Sequence, residues 1–413
     1  MDFNDTPEEA AFRNRTRAFL EANAQRKSAA QQAYRGRYNE GPEAVARARL
    51  WQAKKAAAGF TGITWPREWG GQGGTAIQQV IYNQEEAEFV TARGVFEIGL
   101  GMCIPTLMTH GSAEHRARFV GPALRGEEIW CQLFSEPSAG SDLAGLRTRA
   151  VRHGDDWIIN GQKIWTSGAH FADYGIVVTR TDPQAPKHAG LTFFFLDMRS
   201  PGVEVRPIKQ ISGTSNFNEV FFTDVRIPDS QRLGPVGGGW KVSLTTLMNE
   251  RLAVGDAPGP DAEDALKLAR MVELDGQPAI RNAAVREKLA DWYVKTQGLK
   301  YTKFRTMTAL SRGQTPGPEA SITKVVSASK LQEIASFGMD LLGMSGSVMD
   351  AELAPLQAWF QEALLYSPGL RIAGGTDEIL RNIIAERVLS LPADVRVDKE
   401  VAFIDIAQRA HGH

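Results

Sequence analysis

The sequence predicts an α+β fold in which a small β domain separates two α-helical domains. Apolar residues recur at helical spacing from Pro7 to about Arg125, and short runs rich in Val, Ile, Phe and Trp begin near Glu128. Long helical patterns return after a glycine-rich stretch and continue to about Leu391. Because helices and strands do not alternate, this order argues against βαβ units and a nucleotide-binding parallel sheet.

The first predicted domain, residues 1–127, is helical. The helical pattern starts at Pro7, and Ala11, Phe12, Ala18 and Phe19 fall at helical spacing after it. We therefore expect this segment to bury apolar stripes against other helices.

The second predicted domain, residues 128–236, is built from strands. Strand-like runs separated by turn residues start at Trp157, Gly175, Leu191, Val203 and Val220. Asn160-Gly161 divides one apolar run from the next, and Asn-Gly is a strong signal for a two-residue hairpin turn. The sequence thus predicts a hairpin centred on this pair.

The third predicted domain, residues 237–413, is helical again. The stretch Gly234-Pro-Val-Gly-Gly-Gly239 is typical of a linker. Further along, Thr376 is a predicted N-cap, because Asp377 and Glu378 would occupy the first turn of a helix whose apolar face starts at Ile379.

Composition excludes several function classes. Lysine plus arginine (47) nearly equals aspartate plus glutamate (48), which gives no electrostatic footprint for nucleic acid. Two cysteines, Cys103 and Cys131, cannot build a disulfide framework or a cysteine-rich metal site. No apolar run approaches the length of a membrane span, and the acidic opening residues do not resemble a targeting leader. We expect a cytoplasmic protein with small-molecule partners.

Two motifs imitate binding sites. The segment Gly71–Ala76 imitates a dinucleotide fingerprint, but no strand precedes it, so we interpret it as a surface turn. His110 and His115 are five residues apart, which is not the spacing of a helical metal pair, so we expect helix-cap or surface roles and no metal.

The segments that indicate chemistry are Ser135-Glu-Pro-Ser-Ala-Gly-Ser-Asp142 and Ile159-Asn-Gly-Gln-Lys-Ile-Trp-Thr-Ser-Gly168. Small residues in the first allow close approach of a ligand to the backbone, and the second places Trp165 beside hydroxyl groups. An isolated tryptophan there would more often belong to the core. Together, however, the two segments closely resemble the paired signatures of the acyl-CoA dehydrogenase family. The resemblance extends over residues 5–392, through Trp65–Gly71, Phe217–Phe222 and Gly374–Arg381 among others.

The resemblance implies an N-terminal helical domain, a middle β-barrel-like domain and a C-terminal four-helix bundle, with FAD as cofactor. It implies that eight residues contact FAD or its phosphates: Phe134, Ser135, Gly140, Ser141, Trp165, Ser167, Thr376 and Glu378. It also implies that Ser141, Arg251 and Gly375 contact acyl-CoA. The implied reaction is dehydrogenation of an acyl-CoA to its 2,3-enoyl-CoA, with electrons passed to electron-transferring flavoprotein.

The usual catalytic base of the family is missing. Most members carry a glutamate before the Gly-Thr of the C-terminal motif, whereas this chain has Gly374. Isovaleryl-CoA and long-chain members share that glycine and place the glutamate on an earlier helix, in a context that Met248-Asn-Glu-Arg-Leu252 resembles. Glu250 is therefore the candidate base, expected at the start of a helix among Leu244, Leu247 and Leu252. The Gly374 amide would bind the thioester carbonyl.

One departure from the family leaves the oligomer open. The family's Arg-x-x-Phe-Gly motif, which reaches FAD from a neighbouring subunit, is replaced by Val272-Glu-Leu-Asp-Gly276. Arg270, Arg281 or Arg286 could substitute, or another chain could supply the contact. A homodimer, homotetramer or heteromer remains open. The alternatives to the leading hypothesis are a non-catalytic half-site subunit and a flavin oxidase or monooxygenase on the same fold.

Overall fold

A computed structural model describes residues 5–27, 41–92, 94–253, 259–311, 317, 320–395 and 398–409. They form two compact units. The helical unit comprises Met1–Arg37, Thr75–Val90 and Val254–Ala393. The sheet unit comprises Tyr38–Gly74, Thr91–Ala253 and Asp394–His413.

The described helices and strands follow the predicted order of helices, strands and helices, which confirms the α+β class. The helices are α1 (Pro7–Asn23), α2 (Pro42–Ala57), α3 (Ala76–Ala87), α4 (Ile104–His110), α5 (Ala113–Leu124), α6 (Gly239–Ala253), α7 (Ala262–Met271), α8 (Ala283–Ser311), α9 (Ala320–Leu342), α10 (Trp359–Leu370), α11 (Asp377–Ile383) and α12 (Phe403–Arg409). The strands are β1 (Gln25–Arg26), β2 (Phe89–Val90), β3 (Trp130–Leu133), β4 (Arg149–His153), β5 (Asp156–Ser167), β6 (Tyr174–Arg180), β7 (Leu191–Asp197), β8 (Val203–Ile208), β9 (Phe217–Pro228), β10 (Arg232–Leu233), β11 (Glu273–Leu274) and β12 (Gln277–Pro278).

The sheet unit is built on an eight-stranded mixed sheet. Its order is β10-β7-β6-β4-β5-β9-β8, and β3 pairs in parallel with β6. Phe193 and Phe195 of β7 face a core shared with α4, α5 and α6, whereas Phe194 and Leu196 face a core shared with β5 and β9. The continuous apolar run of β7 follows from this burial on both faces.

The predicted hairpin at Asn160-Gly161 is wrong. β5 continues through both residues and pairs with β9, with a register shift at this point that marks a β-bulge. Asn160 bonds to Asp224 on β9 through both its amide nitrogen (2.9 Å to the carboxylate) and its carbonyl oxygen (2.9 Å from the backbone N–H). Gly161 has φ 149°, a conformation that suits glycine in a bulge as well as in a turn. The actual β4–β5 turn contains Gly154, with φ 64°.

The glycine-rich stretch before α6 is packed against the sheet, so its interpretation as a linker is wrong. The Gly237 N–H donates to the Thr192 hydroxyl at 3.1 Å, and Gly238 forms a parallel bridge with Leu191. A Cβ on Gly239 would lie 2.8 Å from the Leu191 backbone. Glycine is required here because α6 begins in contact with β7.

The helical unit contains α1 and α3, joined by ion pairs from Arg13 and Arg17 to Glu85, and a bundle of α7, α8, α9 and α10. Within the bundle, Gly338 of α9 lies so close to α10 that a Cβ would be 2.0 Å from the Phe360 ring.

The predicted boundaries at 127/128 and 236/237 stay predictions; β3 begins shortly after the first and α6 shortly after the second. Among the helices that the structure describes, none is long and apolar enough to cross a membrane.

Candidate active site

Residues 134–142 form a compact loop directly after β3. Glu136 and Ala139 exchange backbone hydrogen bonds of 2.9 and 3.0 Å, and Phe134 is buried at the base. At Gly140 an added Cβ would meet no atom within 4 Å. The exposed side of the 134–142 loop therefore offers open space beside Gly140 and Ser141.

A buried ion pair fixes this loop to β5. Lys163 is fully buried and its Nζ donates to Glu136 Oε1 at 2.8 Å and to the Phe134 carbonyl at 3.0 Å. The Glu136 carboxylate also accepts the backbone N–H groups of Arg147 (2.6 Å) and Thr148 (2.9 Å). The Glu136 carboxylate therefore accepts three hydrogen bonds from groups inside the protein, and the Lys163 ammonium donates two to such groups.

Burial would raise the pKa of the Glu136 carboxyl, but the Lys163 charge and the donated hydrogen bonds together lower that pKa below its ordinary value. Burial also lowers the pKa of Lys163, against the opposing effect of Glu136. The two charges depend on each other, because either one alone would be a costly buried ion.

Trp165 lies at a second bulge in β5, just after Lys163. Its φ is 60°, in the left-handed region that bulky residues rarely adopt, and its side chain is 56% exposed. It is therefore not the core tryptophan that an isolated residue would suggest. The ring meets Phe217 edge-on at 6.1 Å. Backbone strain at an exposed aromatic residue is typical of binding sites.

Hydrogen bonds on both sides hold Trp165 in this conformation. The Ile164 N–H donates to the Ser135 carbonyl at 2.9 Å, which joins the bulge to the 134–142 loop. The buried Asn218 side chain donates to the Thr166 carbonyl at 2.9 Å and contacts His170 Nδ1 at 3.1 Å. The structure thus brings the predicted Phe134–Ser141 and Trp165–Ser167 residues together.

Glu250 lies near the end of α6 and not at its start, which corrects the predicted position. The long helix begins earlier, at Gly239, because the glycine-rich stretch packs on β7. Glu250 is half-buried, whereas Leu244 is exposed and Leu247 packs against the core. The side chains of Arg251 and Leu252 lie outside the part of the chain that the structure describes.

α4 anchors α6 one turn before Glu250. The buried hydroxyls of Thr246 and Thr106 are 2.9 Å apart, and His110 Nε2 lies 2.8 Å from the Thr245 hydroxyl. Burial and the charge of Lys241 lower the pKa of His110, which favours a neutral ring. The backbone that carries Glu250 is therefore fixed by polar contacts as well as apolar packing.

The Gly374–Glu378 turn lies in the helical unit. Gly374 and Gly375 have φ of 65° and 93°, and the predicted N-cap at Thr376 is confirmed, since its hydroxyl accepts the Ile379 N–H at 3.3 Å. The Glu378 carboxyl is exposed and its pKa is lowered by hydrogen bonds from its own backbone and from Thr376.

Charged partners fix this turn. Lys324 of α9 donates to the Gly375 carbonyl at 2.6 Å, and Arg371 binds the buried Asp377 at 2.7 Å. No motif or spacing in the sequence indicated Lys324 or Arg371. Because Glu250 and Gly374 belong to different units, their pairing across a substrate stays a prediction.

The segment that replaces Arg-x-x-Phe-Gly forms a short β-hairpin with a two-residue turn. β11 and β12 pair antiparallel, and Asp275 and Gly276 form the turn with φ of 54° and 74°. Asp-Gly is typical of this turn type. The alternative cations Arg270, Arg281 and Arg286 are all exposed.

The motifs interpreted as non-functional have structural roles. His115 caps α5 with Ser112 through two reciprocal hydrogen bonds of 3.2 Å. Gly71 is buried shortly after a short 3₁₀ segment, and a Cβ there would be 2.3 Å from the Trp65 carbonyl oxygen. Within the described ranges, no cluster of three potential metal ligands is present.

Charged residues inside the two motifs are the part of the site that sequence reasoning missed. Trp157, Ile159 and Lys163 occupy odd-numbered positions of β5 and are buried, so Lys163 stands at an inward position. An inward lysine requires a buried anion. This signal, with Glu136 in the other motif, could have identified the pair.

The sheet-unit residues fit a flavin. A flavin needs a flat surface, hydrogen-bonding groups at the ring edge and room beside the backbone for its phosphates. Trp165 offers an exposed aromatic surface, Ser167 follows it in β5, and open space lies beside Gly140, where an added Cβ would meet no atom within 4 Å. These observations concern one unit alone and support a flavin there.

Comparisons with known proteins agree in family and fold. Three family models match: the acyl-CoA dehydrogenase N-terminal domain at residues 6–127, the middle domain at 131–225 and the C-terminal domain at 237–389. Acyl-CoA dehydrogenase IpdE1 of Mycobacterium tuberculosis is 37% identical over 388 residues, 93% of this chain and 98% of that protein. Acyl-CoA dehydrogenase FadE34 of the same organism is 39% identical over 343 residues, 83% of this chain. The match spans 46% of FadE34, about half its length.

Solved structures show the same architecture. A structure described as the Tcur3481-Tcur3483 steroid ACAD has a TM-score of 0.78 and 28% identity, covering 95% of this chain and all of that one. The ChsE4-ChsE5 complex from Mycobacterium tuberculosis has a TM-score of 0.74 and 27% identity, with coverage of 95% and 100%.

Proposed function

We propose, from the premise that this chain belongs to the acyl-CoA dehydrogenase family, that it dehydrogenates an acyl-CoA to the 2,3-enoyl-CoA with Glu250 as base. The observation that carries the proposal is the joining of the 134–142 loop to the strained, exposed Trp165, together with a half-buried carboxylate near the end of α6.

The proposed cofactor is FAD, which accepts a hydride from the substrate β-carbon when it is bound. Trp165 would lie against the flavin ring, and Ser167, Ser135 and the backbone of Gly140 and Ser141 would bind its edge and phosphates. In the helical unit, Thr376 and Glu378 would complete the FAD contacts. The buried Lys163–Glu136 pair supports this role, because it orients the backbone of both segments before any ligand binds.

Glu250 would remove the substrate α-proton. A carboxylate placed within hydrogen-bond reach of the proton is a common general base for this task. Deprotonation places negative charge on the thioester oxygen, and an amide donor stabilises that charge. We assign this donor to Gly374, whose positive φ is held by the Lys324 contact to Gly375 and by the capped start of α11. Gly375 and Arg251 are the proposed contacts for the remainder of acyl-CoA.

A second subunit is proposed to complete the FAD site. The hairpin at Asp275-Gly276 lacks the family's arginine and phenylalanine, and exposed Met271 and Leu274 beside it are 59% and 39% accessible. Such apolar exposure suits a protein contact. Structures with 27–28% identity are described as the Tcur3481-Tcur3483 steroid ACAD and the ChsE4-ChsE5 complex. We propose a heteromer in which the partner supplies the missing cationic contact.

Substrate-driven bleaching of bound flavin under anaerobic conditions tests the reaction. Glu250→Gln should lower the bleaching rate by about a hundred- to ten-thousand-fold, the usual contribution of a general base, and should leave FAD affinity unchanged. The control is Glu114→Gln, an exposed first-turn glutamate of α5 in the same unit. Equal bleaching by Glu250→Gln and wild type would remove Glu250 from the mechanism.

The electron acceptor and acyl group are tested with the same preparation. Rapid reoxidation of reduced flavin by electron-transferring flavoprotein, and slow reoxidation by oxygen, are expected for a dehydrogenase. Fast reaction with oxygen would indicate an oxidase or monooxygenase. A panel of straight-chain, branched and steroid-type acyl-CoA thioesters identifies the substrate class.

A further inference from the structure

Residues 398–409 lie outside all three family models, the last of which ends at residue 389. In the sheet unit this segment contacts the connection between β6 and β7. The Phe403 N–H donates to the Ala185 carbonyl and the Ile404 N–H to the Pro183 carbonyl, both at 3.0 Å. Ala402 and Pro186 also form an antiparallel bridge. The 398–409 segment is thus attached through backbone hydrogen bonds.

Asp398 reaches the 134–142 loop through one lysine. Lys187 is largely buried, and its Nζ donates to Asp398 Oδ2 at 2.6 Å and to the two Asp142 carboxylate oxygens at 3.0 and 3.2 Å. Asp142 is the last residue of the loop, and its own side chain is 62% exposed. Lys187 therefore bridges the segment and the loop.

Phe403 covers a second cation that holds the residues after the loop. The Arg180 guanidinium is almost fully buried and lies 3.6 Å from the centroid of the Phe403 ring. It donates to the carbonyls of Ala144 and Leu146, and to the carbonyl of Lys187 at 3.0 Å. Without the aromatic ring one face of this guanidinium would lose its cation–π contact.

We infer that the 398–409 segment is a positioning element for bound FAD. The segment holds Lys187, which orders the end of the 134–142 loop, and Arg180, which orders the residues that follow the loop. The inference rests on the proposed role of that loop in FAD binding. Glu136 and Lys163 fix the start of the loop, and the bridge through Lys187 fixes its end. A loop ordered in advance loses less conformational entropy on binding.

The test measures the affinity of the full-length protein for FAD. Bound flavin is first removed, FAD is then titrated back, and flavin fluorescence reports binding. Asp398→Asn should weaken FAD binding by about three- to ten-fold, as expected for a partly exposed, charge-assisted contact. Asp398→Glu should recover most of the affinity. The matched control is Asp405→Asn, an exposed aspartate of the same segment, with unchanged affinity expected.

A double-mutant cycle separates positioning from general destabilisation. In an Asp142→Asn background, Asp398→Asn should have little further effect, because the bridge is already broken. Thermal unfolding without FAD should differ little between Asp398→Asn and Asp405→Asn.

Four outcomes would contradict parts of this scheme. Independent effects of Asp398→Asn and Asp142→Asn, or equal affinity for Asp398→Asn and Asp405→Asn, would overturn the positioning role alone. Tighter FAD binding by Asp398→Asn would show that Lys187 attracts FAD by charge, which also overturns it. Failure of the wild type to bind FAD at all, with or without a partner subunit, would contradict the proposed function instead.

Discussion

At the scale of single residues, the site depends on charges that are buried in pairs. Glu136 and Lys163 belong to the two motifs that carry the family resemblance, yet both side chains are buried. The exposed residues of these motifs include Trp165 and the small residues of the 134–142 loop. Their position suggests that the motifs contain two kinds of residue. Some would meet the ligand, and others hold the backbone that presents them.

Lys163→Met should destabilise the protein by about 3–5 kcal/mol, because it leaves the Glu136 carboxylate buried without its counter-ion. Urea unfolding measures the change. The control is Arg206→Met, which removes an exposed pair with Glu204 and should change stability far less than Lys163→Met does. Similar losses in the two variants would show that the buried pair carries no special weight.

The effect of Lys163→Met on the unfolding free energy should depend on pH. The pKa of Glu136 in the folded protein lies below the ordinary value of 4.5, so its contribution to stability is complete above that value and is lost as pH falls through the lowered pKa. In Lys163→Met, burial raises the pKa of Glu136, and protonation then removes the unpaired charge. The difference in unfolding free energy between wild type and variant should therefore narrow from pH 7 toward pH 3. A constant difference would argue against this origin.

At the scale of elements, β5 shows how bulges build the site. Two register shifts against β9 divide this strand, one at Asn160-Gly161 and one before Thr166. The second allows Trp165 to face outward while Lys163 faces inward. A regular strand could not place an exposed tryptophan and a buried lysine in this way without changing the face of every later residue.

Gly161→Ala should destabilise the protein more than Gly154→Ala. A Cβ at Gly161 would lie 2.7 Å from the Thr148 Cα, which is backbone and cannot move aside, whereas a Cβ at Gly154 would meet nothing within 4 Å. We expect a loss of about 1 kcal/mol at Gly154, from positive φ alone, and at least twice that at Gly161. Urea unfolding of both variants decides, and equal losses would mean that the bulge adapts freely.

At the scale of the whole molecule, the replaced Arg-x-x-Phe-Gly segment leads to a test of whether a partner subunit is needed for full FAD occupancy. The purified chain alone should bind FAD weakly, at less than one FAD per chain. Co-purification with a homologous chain that carries the arginine and phenylalanine should raise the occupancy. Native mass spectrometry reports subunits and flavin together. Full FAD occupancy in a homo-oligomer would contradict the heteromer and leave the proposed reaction intact.

Sequence patterns alone were sufficient for the order of helical and β regions, because apolar periodicity reflects which face of each element is buried. They failed at Asn160-Gly161 and at the glycines before α6. Positive φ and the absence of a Cβ serve turns, bulges and close packing alike, and the choice among these uses depends on a partner strand that is distant in sequence.

What the sequence by itself determined is the fold class, the family and the candidate carboxylate, since long motifs and apolar periods survive as linear patterns. What only the tertiary structure decided is how the 134–142 loop and β5, the segments proposed to bind the flavin, are held. The contacts of Lys163 with Glu136, of Asn218 with Thr166, and of Asp398 with Lys187 join residues 27 to 211 positions apart. Such contacts follow from how the chain folds back on itself, and charge or polarity at one position does not reveal which distant group will satisfy it.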